Sequence, residues 1–275
     1  MILLQRTSLI KFGLAFSLAA FAGILAISPK LIPLFESLTP QASQRAGSPA
    51  RALFFKSTLD IVPYFSLLAA LIFACIMLFC ILYFFENTSS PEIHCFELFA
   101  FSFAFEIFRV VLPLKNIYML SPFYLMTAER CLAFARLTGI FALFAAGLFA
   151  SGIETKRKEI FLFPFCVAAL IIAIRMPIDI YSFDTSLSSI FGFSKMFHAI
   201  EFVLAIITAS SFFVGAYLTG SREYIPAGGG VVLLILGKTM LQTADALVLL
   251  IISILMIITG FYLFCNNLRK MYMWM

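Results

Sequence analysis

Twenty-five consecutive residues, Ile61 to Phe85, carry no charged side chain. At about 1.5 Å of rise per helical residue such a run reaches about 37 Å, more than the roughly 30 Å hydrocarbon core of a bilayer. A helix crossing lipid is the one element that a run of this length and polarity supports, because only there does every buried backbone group find a partner within its own segment. The rest of the chain agrees. Of its 275 residues 63% are apolar and 12% charged, against roughly 45–50% and about 25% in a soluble domain. Nineteen basic and fourteen acidic side chains cannot clothe a water-facing surface of this size. The expected fold is all-α, a polytopic transmembrane helical bundle forming a single integral membrane domain over residues 1–275.

Apolar runs of spanning length predict about seven crossings, with six to eight allowed, at 12–27, 61–85, 95–113, 127–151, 159–180, 198–218 and 229–265. Ser28-Pro29 is expected to stop the first, since proline lacks the N–H that a helix needs and disfavours helix at its predecessor. The last run, at 37 residues, would reach about 55 Å as one helix, so it must tilt, break or double back. Lys238 and Asp245 mark the expected break, and Gly228-Gly229-Gly230 after Pro226 reads as a hinge leading into it. The proline-rich stretch 28–60 reads as a loop with a short interfacial helix near 50–59. Ala20-Phe21-Ala22 after Arg6 and Lys11 has the form of a signal-cleavage site, although the apolar run continues to Ile27, which favours an uncleaved anchor.

Lys and Arg near the span ends test the orientation. With the amino terminus inside and seven crossings, six basic residues fall inside and eight outside, against the positive-inside rule. An eighth crossing, which brings Arg269 and Lys270 to the inner side, reverses the tally, as does placing the amino terminus outside with seven.

Charges inside the spans carry the functional information, because an ionisable group in hydrocarbon is costly and generally faces a bundle interior or a water-filled cavity. Eight qualify: Glu106, Asp179, Glu201 and Asp245, with Arg109, Arg136, Arg175 and Lys238. Their formal charges sum to zero. Glu106 and Arg109 lie three apart and Arg175 and Asp179 four apart, spacings that share a helix face. This set reads either as the lining of a substrate, ion or proton pathway or as an ion-pair network that fixes helix packing. Glu106→Gln is expected to impair function in the first case.

Other patterns carry less. Gly237-Lys238-Thr239 resembles the end of a phosphate-binding loop, but Val232 stands where the first glycine belongs and Leu233 to Leu236 offer no loop. Glu92, His94, Cys95 and Glu97 cluster before the third run, and His198 lies one turn from Glu201; solvated loop polarity explains both as well as a metal does. With two histidines in all and no Gly-x-Ser-x-Gly elbow, no catalytic constellation, cofactor or metal is indicated. The six cysteines include no Cys-x-x-Cys pair, and most lie in apolar runs where cysteine is a small hydrophobe. Asn87-Thr88-Ser89 matches a glycosylation acceptor. Small residues four apart, Ala15/Ala19/Gly23, Ala142/Ala146/Ala150 and Ser211/Gly215, predict close helix packing.

The sequence thus predicts a multi-pass protein of the cell membrane, in contact with the lipid bilayer, that binds no nucleic acid. A transporter or channel with a buried charged network is the leading expectation. The alternatives are a sensor or receptor-like module, or a structural or assembly subunit with membrane-protein partners or copies of itself. Aromatic composition is lopsided, with 34 Phe, nine Tyr and one Trp, so the usual Trp-Tyr interfacial belt is thin.

Overall fold

The computed structural model describes residues 2–45, 61–85, 90–152, 158–183, 189–191, 194–221, 223–244 and 246–273. The candidate interfacial helix at 50–59 and the Asn87-Thr88-Ser89 tripeptide fall outside the described residues. The architecture is a helical membrane bundle. Its elements are α1 (Ile2–Arg45), α2 (Val62–Phe84), α3 (Pro91–Ser102), a 3-10 helix (Ala104–Val110), α4 (Val111–Tyr118), α5 (Pro122–Ala150), α6 (Lys158–Arg175), α7 (Ser194–Thr219), α8 (Tyr224–Gln242) and α9 (Leu247–Met273). Six of these, α1, α2, α5, α7, α8 and α9, are long and apolar enough to cross a membrane. A small antiparallel hairpin, β1 (Ile178–Phe183) with β2 (Ser189–Phe191), follows α6.

Two further segments complete the alternation. Gly147 of α5 meets Thr208 and Ser211 of α7, while Gly215 meets Ala150. Residue numbers rise together along this contact, so α5 and α7 run parallel and α6 must return between them. The segment α3, 3-10 helix and α4 runs antiparallel to α5, with Ser102 beside Gly139 and Glu106 on Arg136. At about 1.5 Å per α and about 2 Å per 3-10 residue it reaches about 45 Å. The third expected run is therefore one broken rod.

α1 corrects the first expectation, since it continues through Pro29 and Pro33 to Arg45. A proline at 29 cannot donate to the Leu25 carbonyl. Ser28 Oγ does so instead, at 2.7 Å, and a helix in lipid tolerates proline where a hydroxyl restores the lost bond. The expected fifth span, 159–180, ends at Arg175. Its terminator is Pro177, which places Asp179 in β1, where the four-residue spacing to Arg175 has no helical meaning.

The last run is two helices, with the break at residues 243–246, so Lys238 lies one turn inside α8. Gly228-Gly229-Gly230 is not a hinge but part of that helix. A Cβ at Gly230 would stand 2.8 Å from Gly260 O, and one at Gly260 would stand 2.7 Å from Gly230 O. The two glycines let α8 and α9 touch backbone to backbone. Gly260→Ala pushes first against main chain, Gly230 O and Leu234 N, as well as Leu234 Cγ, and is expected to lower stability by about 1–3 kcal/mol. Gly229→Ala, whose Cβ meets nothing within 4 Å, is expected to raise it by up to about 1 kcal/mol through helix propensity. Thermal unfolding of both variants in detergent checks the contrast. In α1 the buried stripe is Gly13, Ser17, Ala20 and Ile24, and Ala15 and Ala19 face outward, so that small-residue repeat does not make the predicted contact.

Phenylalanine serves both environments. Phe12, Phe79, Phe123, Phe163 and Phe202 are exposed on the outer faces of the helices, whereas Phe96, Phe99, Phe103, Phe212 and Phe264 are fully buried.

Candidate functional site

The 3-10 helix brings the deepest charges together. Glu106 and Arg109, three residues apart in a helix of about three residues per turn, point the same way. The face they continue begins in α3: Glu92, Cys95, Phe99, Ser102, Glu106 and Arg109 recur at three- or four-residue intervals and are all at least 96% buried. Its polar members are linked to other helices. Tyr224 of α8 donates to Glu92 Oε1 at 3.5 Å, Lys238 of α8 to Ser102 Oγ at 2.6 Å, and Arg109 to Ser66 Oγ of α2 at 3.2 Å.

Glu106 is the hub. Arg136 of α5 binds it as a fork, Nε to Oε1 at 3.0 Å and Nη2 to Oε2 at 2.9 Å, the geometry in which a guanidinium matches a carboxylate most strongly. Gln242 Nε2 adds a bond to Oε1 at 2.8 Å, and Arg109 Nη1 stands 3.9 Å from Oε2. The sequence spacing pointed to Arg109 as the partner of Glu106. The shorter pair is the one across helices, because α5 lies antiparallel to the broken rod and Arg136 falls midway along it, fourteen residues from either end.

Glu201 of α7 lies close enough to act electrostatically on both Arg136 and Lys238, and Glu129 of α5 acts on Arg136. Three acids, Glu106, Glu129 and Glu201, thus face three bases, Arg109, Arg136 and Lys238, at a formal sum of zero. Each is at least 94% buried.

The seat of Lys238 is built by a missing side chain. A Cβ at Gly139 would collide with Ser102 Oγ and stand 2.7 Å from Lys238 Nζ, so only glycine leaves room for the ammonium. The rings of Phe99 and Phe103 lie 5.0 Å from Nζ, and Ser102, which accepts from Lys238, donates its own hydroxyl to Phe99 O at 2.6 Å.

Five of the eight expected residues, Glu106, Arg109, Arg136, Glu201 and Lys238, converge here. Arg175 is exposed at the end of α6, where a long cationic side chain reaches the headgroups. Asp179 lies in the hairpin, with its side chain outside the described residues, as is the whole of Asp245. Two members escaped the sequence reading: Glu129, two helical turns before Arg136, and Gln242, one turn after Lys238. Both share a face with a charge already singled out, and that spacing is the signal that finds them.

Toward the other end of α3, His94 Nδ1 pairs with Glu97 Oε2 at 3.0 Å, and Ser90 donates to Glu92 at 2.6 Å. Among the described residues no group of three or more His, Cys, Asp or Glu could hold a metal ion. Comparison with protein-family models, curated proteins and solved structures finds no match for this chain.

Proposed function

We propose that the chain is a transporter of the cell membrane that moves its solute along the polar face of the broken third rod. The convergence of charge on a 3-10 break carries this reading. Interrupted helices with charged side chains at the break recur where membrane proteins bind solutes and ions, since the break frees backbone groups and the charges stay in a protein-lined interior. The last residue of α8, Gln242, reaches Glu106, so the α8–α9 turn lies at the level of the cluster. From Lys238 toward Glu92 the interior is filled by Phe96, Phe99, Phe103, Phe212 and Phe264, which supports a conformation closed on that side by phenyl rings.

Counted as eight crossings, the segments support a topology with both ends of the chain on the side of Lys156, Arg157 and Lys158. The positive-inside rule makes that face cytoplasmic.

A second reading, an ion-pair lock in a structural or assembly subunit, is favoured by the complete engagement of Glu106, whose two oxygens both accept hydrogen bonds. Proteoliposomes on a solid-supported membrane separate the two. Pulses of an amino acid, a dicarboxylate, a hexose and a monovalent cation are expected to evoke a current for one class. Because Glu106 neutralises Arg136, the informative variant is the charge-balanced pair Glu106→Gln with Arg136→Met, expected to fold and stay silent. Silence of the folded wild type across the panel supports the lock.

A further inference from the structure

We infer that the species coupled to transport is the proton, and that Lys238 carries it. This rests on the transport reading above and names its coupling ion. A bound metal cation needs a shell of oxygen ligands, and at the hub of the cluster both carboxylate oxygens are already taken by N–H donors. Glu106 Oε1 already accepts from Arg136 Nε and Gln242 Nε2, and Oε2 from Arg136 Nη2. The cluster is built to hold protons on nitrogen, not to strip water from a metal.

Among its bases, Lys238 alone is suited to release one. Guanidinium groups do not deprotonate in proteins, which removes Arg109 and Arg136. Lys238 is 1% exposed, and among the described residues its ammonium has one hydrogen-bond acceptor, Ser102 Oγ. The Phe99 and Phe103 rings also stand beside it. A neutral amine keeps that same bond, since it still has an N–H to give, so the proton comes and goes without rebuilding the site.

The groups facing Lys238 are Ser102 from α3, Glu106 from the 3-10 helix, Arg136 from α5 and Glu201 from α7. With Lys238 charged, three acids balance three bases. When its ammonium gives one proton to water entering the opened bundle, the cluster is left with one excess negative charge. That charge is relieved by a proton returning from the other face or by a cationic group of the solute, which links the proton to the solute by charge balance. The negative form is costly in a dry interior, so it persists only with the solute present.

The test uses full-length protein in vesicles with the pH dye pyranine trapped inside, challenged with the four-solute panel. The solute that evokes a current is expected to shift internal pH as well. Lys238→Arg, which keeps the cation and cannot release its proton, is expected to keep measurable though slower exchange of that solute across equal pH. It is also expected to lose the accumulation, about tenfold per pH unit, that a proton gradient sustains. Lys238→Met combined with Glu201→Gln, which keeps Glu106 and Glu129 against Arg109 and Arg136, serves if the larger guanidinium does not fold beside Gly139, and the same split is expected. A solute current without any pH shift, a Lys238 variant that still accumulates solute on a pH gradient, or a folded variant that loses exchange too overturns the proton role and leaves transport standing. No current from the wild type removes transport and the coupling with it.

Discussion

Arg136→Met is expected to cost about 3–5 kcal/mol, the largest loss of stability for any single substitution in the cluster, because it leaves the Glu106 carboxylate buried beside one guanidinium at 3.9 Å instead of two. The loss is not a measure of what the pair contributes. Two charges taken out of water and returned to each other come out near even, whereas one charge left behind does not. The double variant Glu106→Gln with Arg136→Met keeps the formal balance, Glu129 and Glu201 against Arg109 and Lys238, and is expected to recover most of the stability. Thermal unfolding in detergent, followed with a thiol-reactive dye after the five half-buried cysteines are replaced by serine or alanine so that buried Cys95 reports, measures both. A single variant within about 1 kcal/mol of wild type would mean that Glu106 and Arg136 are already wet, and the dry cluster would have to be abandoned.

That outcome also bears on the choice between transport and assembly. A network retained only for packing is replaceable by apolar side chains of similar volume, so the double variant should be stable and fully active in whatever the protein does. A network retained for transport is replaceable for folding and irreplaceable for flux. Stability and current, measured on the same double variant, therefore answer different questions.

Much of the bundle was legible as length and polarity. The uncharged run at 61–85 becomes α2 (Val62–Phe84) almost residue for residue, because lipid imposes a length that tertiary packing does not alter. What stayed illegible depends on neighbours. Pro29 reads as a stop until Ser28 is seen bonded to the Leu25 carbonyl. The glycines at 228–230 read as a hinge until Gly260 is seen against Gly230, since a glycine that lets a helix bend and one that lets a helix approach look alike in one dimension. Within the cluster, Glu106 and Arg109 stood out by their three-residue spacing, whereas the Glu106–Arg136 fork joins residues thirty apart, and spacing along one helix is silent on partners across two.

Gly139→Ala is expected to leave the fold standing and to depress transport by about 10- to 100-fold. The added methyl meets Ser102 Oγ and Lys238 Nζ, both at the ends of side chains that can swing away, unlike the main chain that opposes a methyl at Gly260. Helix propensity returns about 1 kcal/mol against an overpacking cost of about 1–3 kcal/mol and the loss of one buried hydrogen bond, so the unfolding temperature should fall while the fold persists. What the methyl removes is the Lys238–Ser102 bond. A hydrogen bond to a charged group contributes about 1.5–3 kcal/mol, and at about 1.4 kcal/mol per decade its loss sets the size of the expected defect. Initial currents of Gly139→Ala, normalised to the amount of folded protein and compared with Gly229→Ala as a glycine control facing open space, provide the measurement. Equal currents in the two variants would show that the seat built for Lys238 has no part in transport, and the ammonium would then be a packing charge like any other in the bundle.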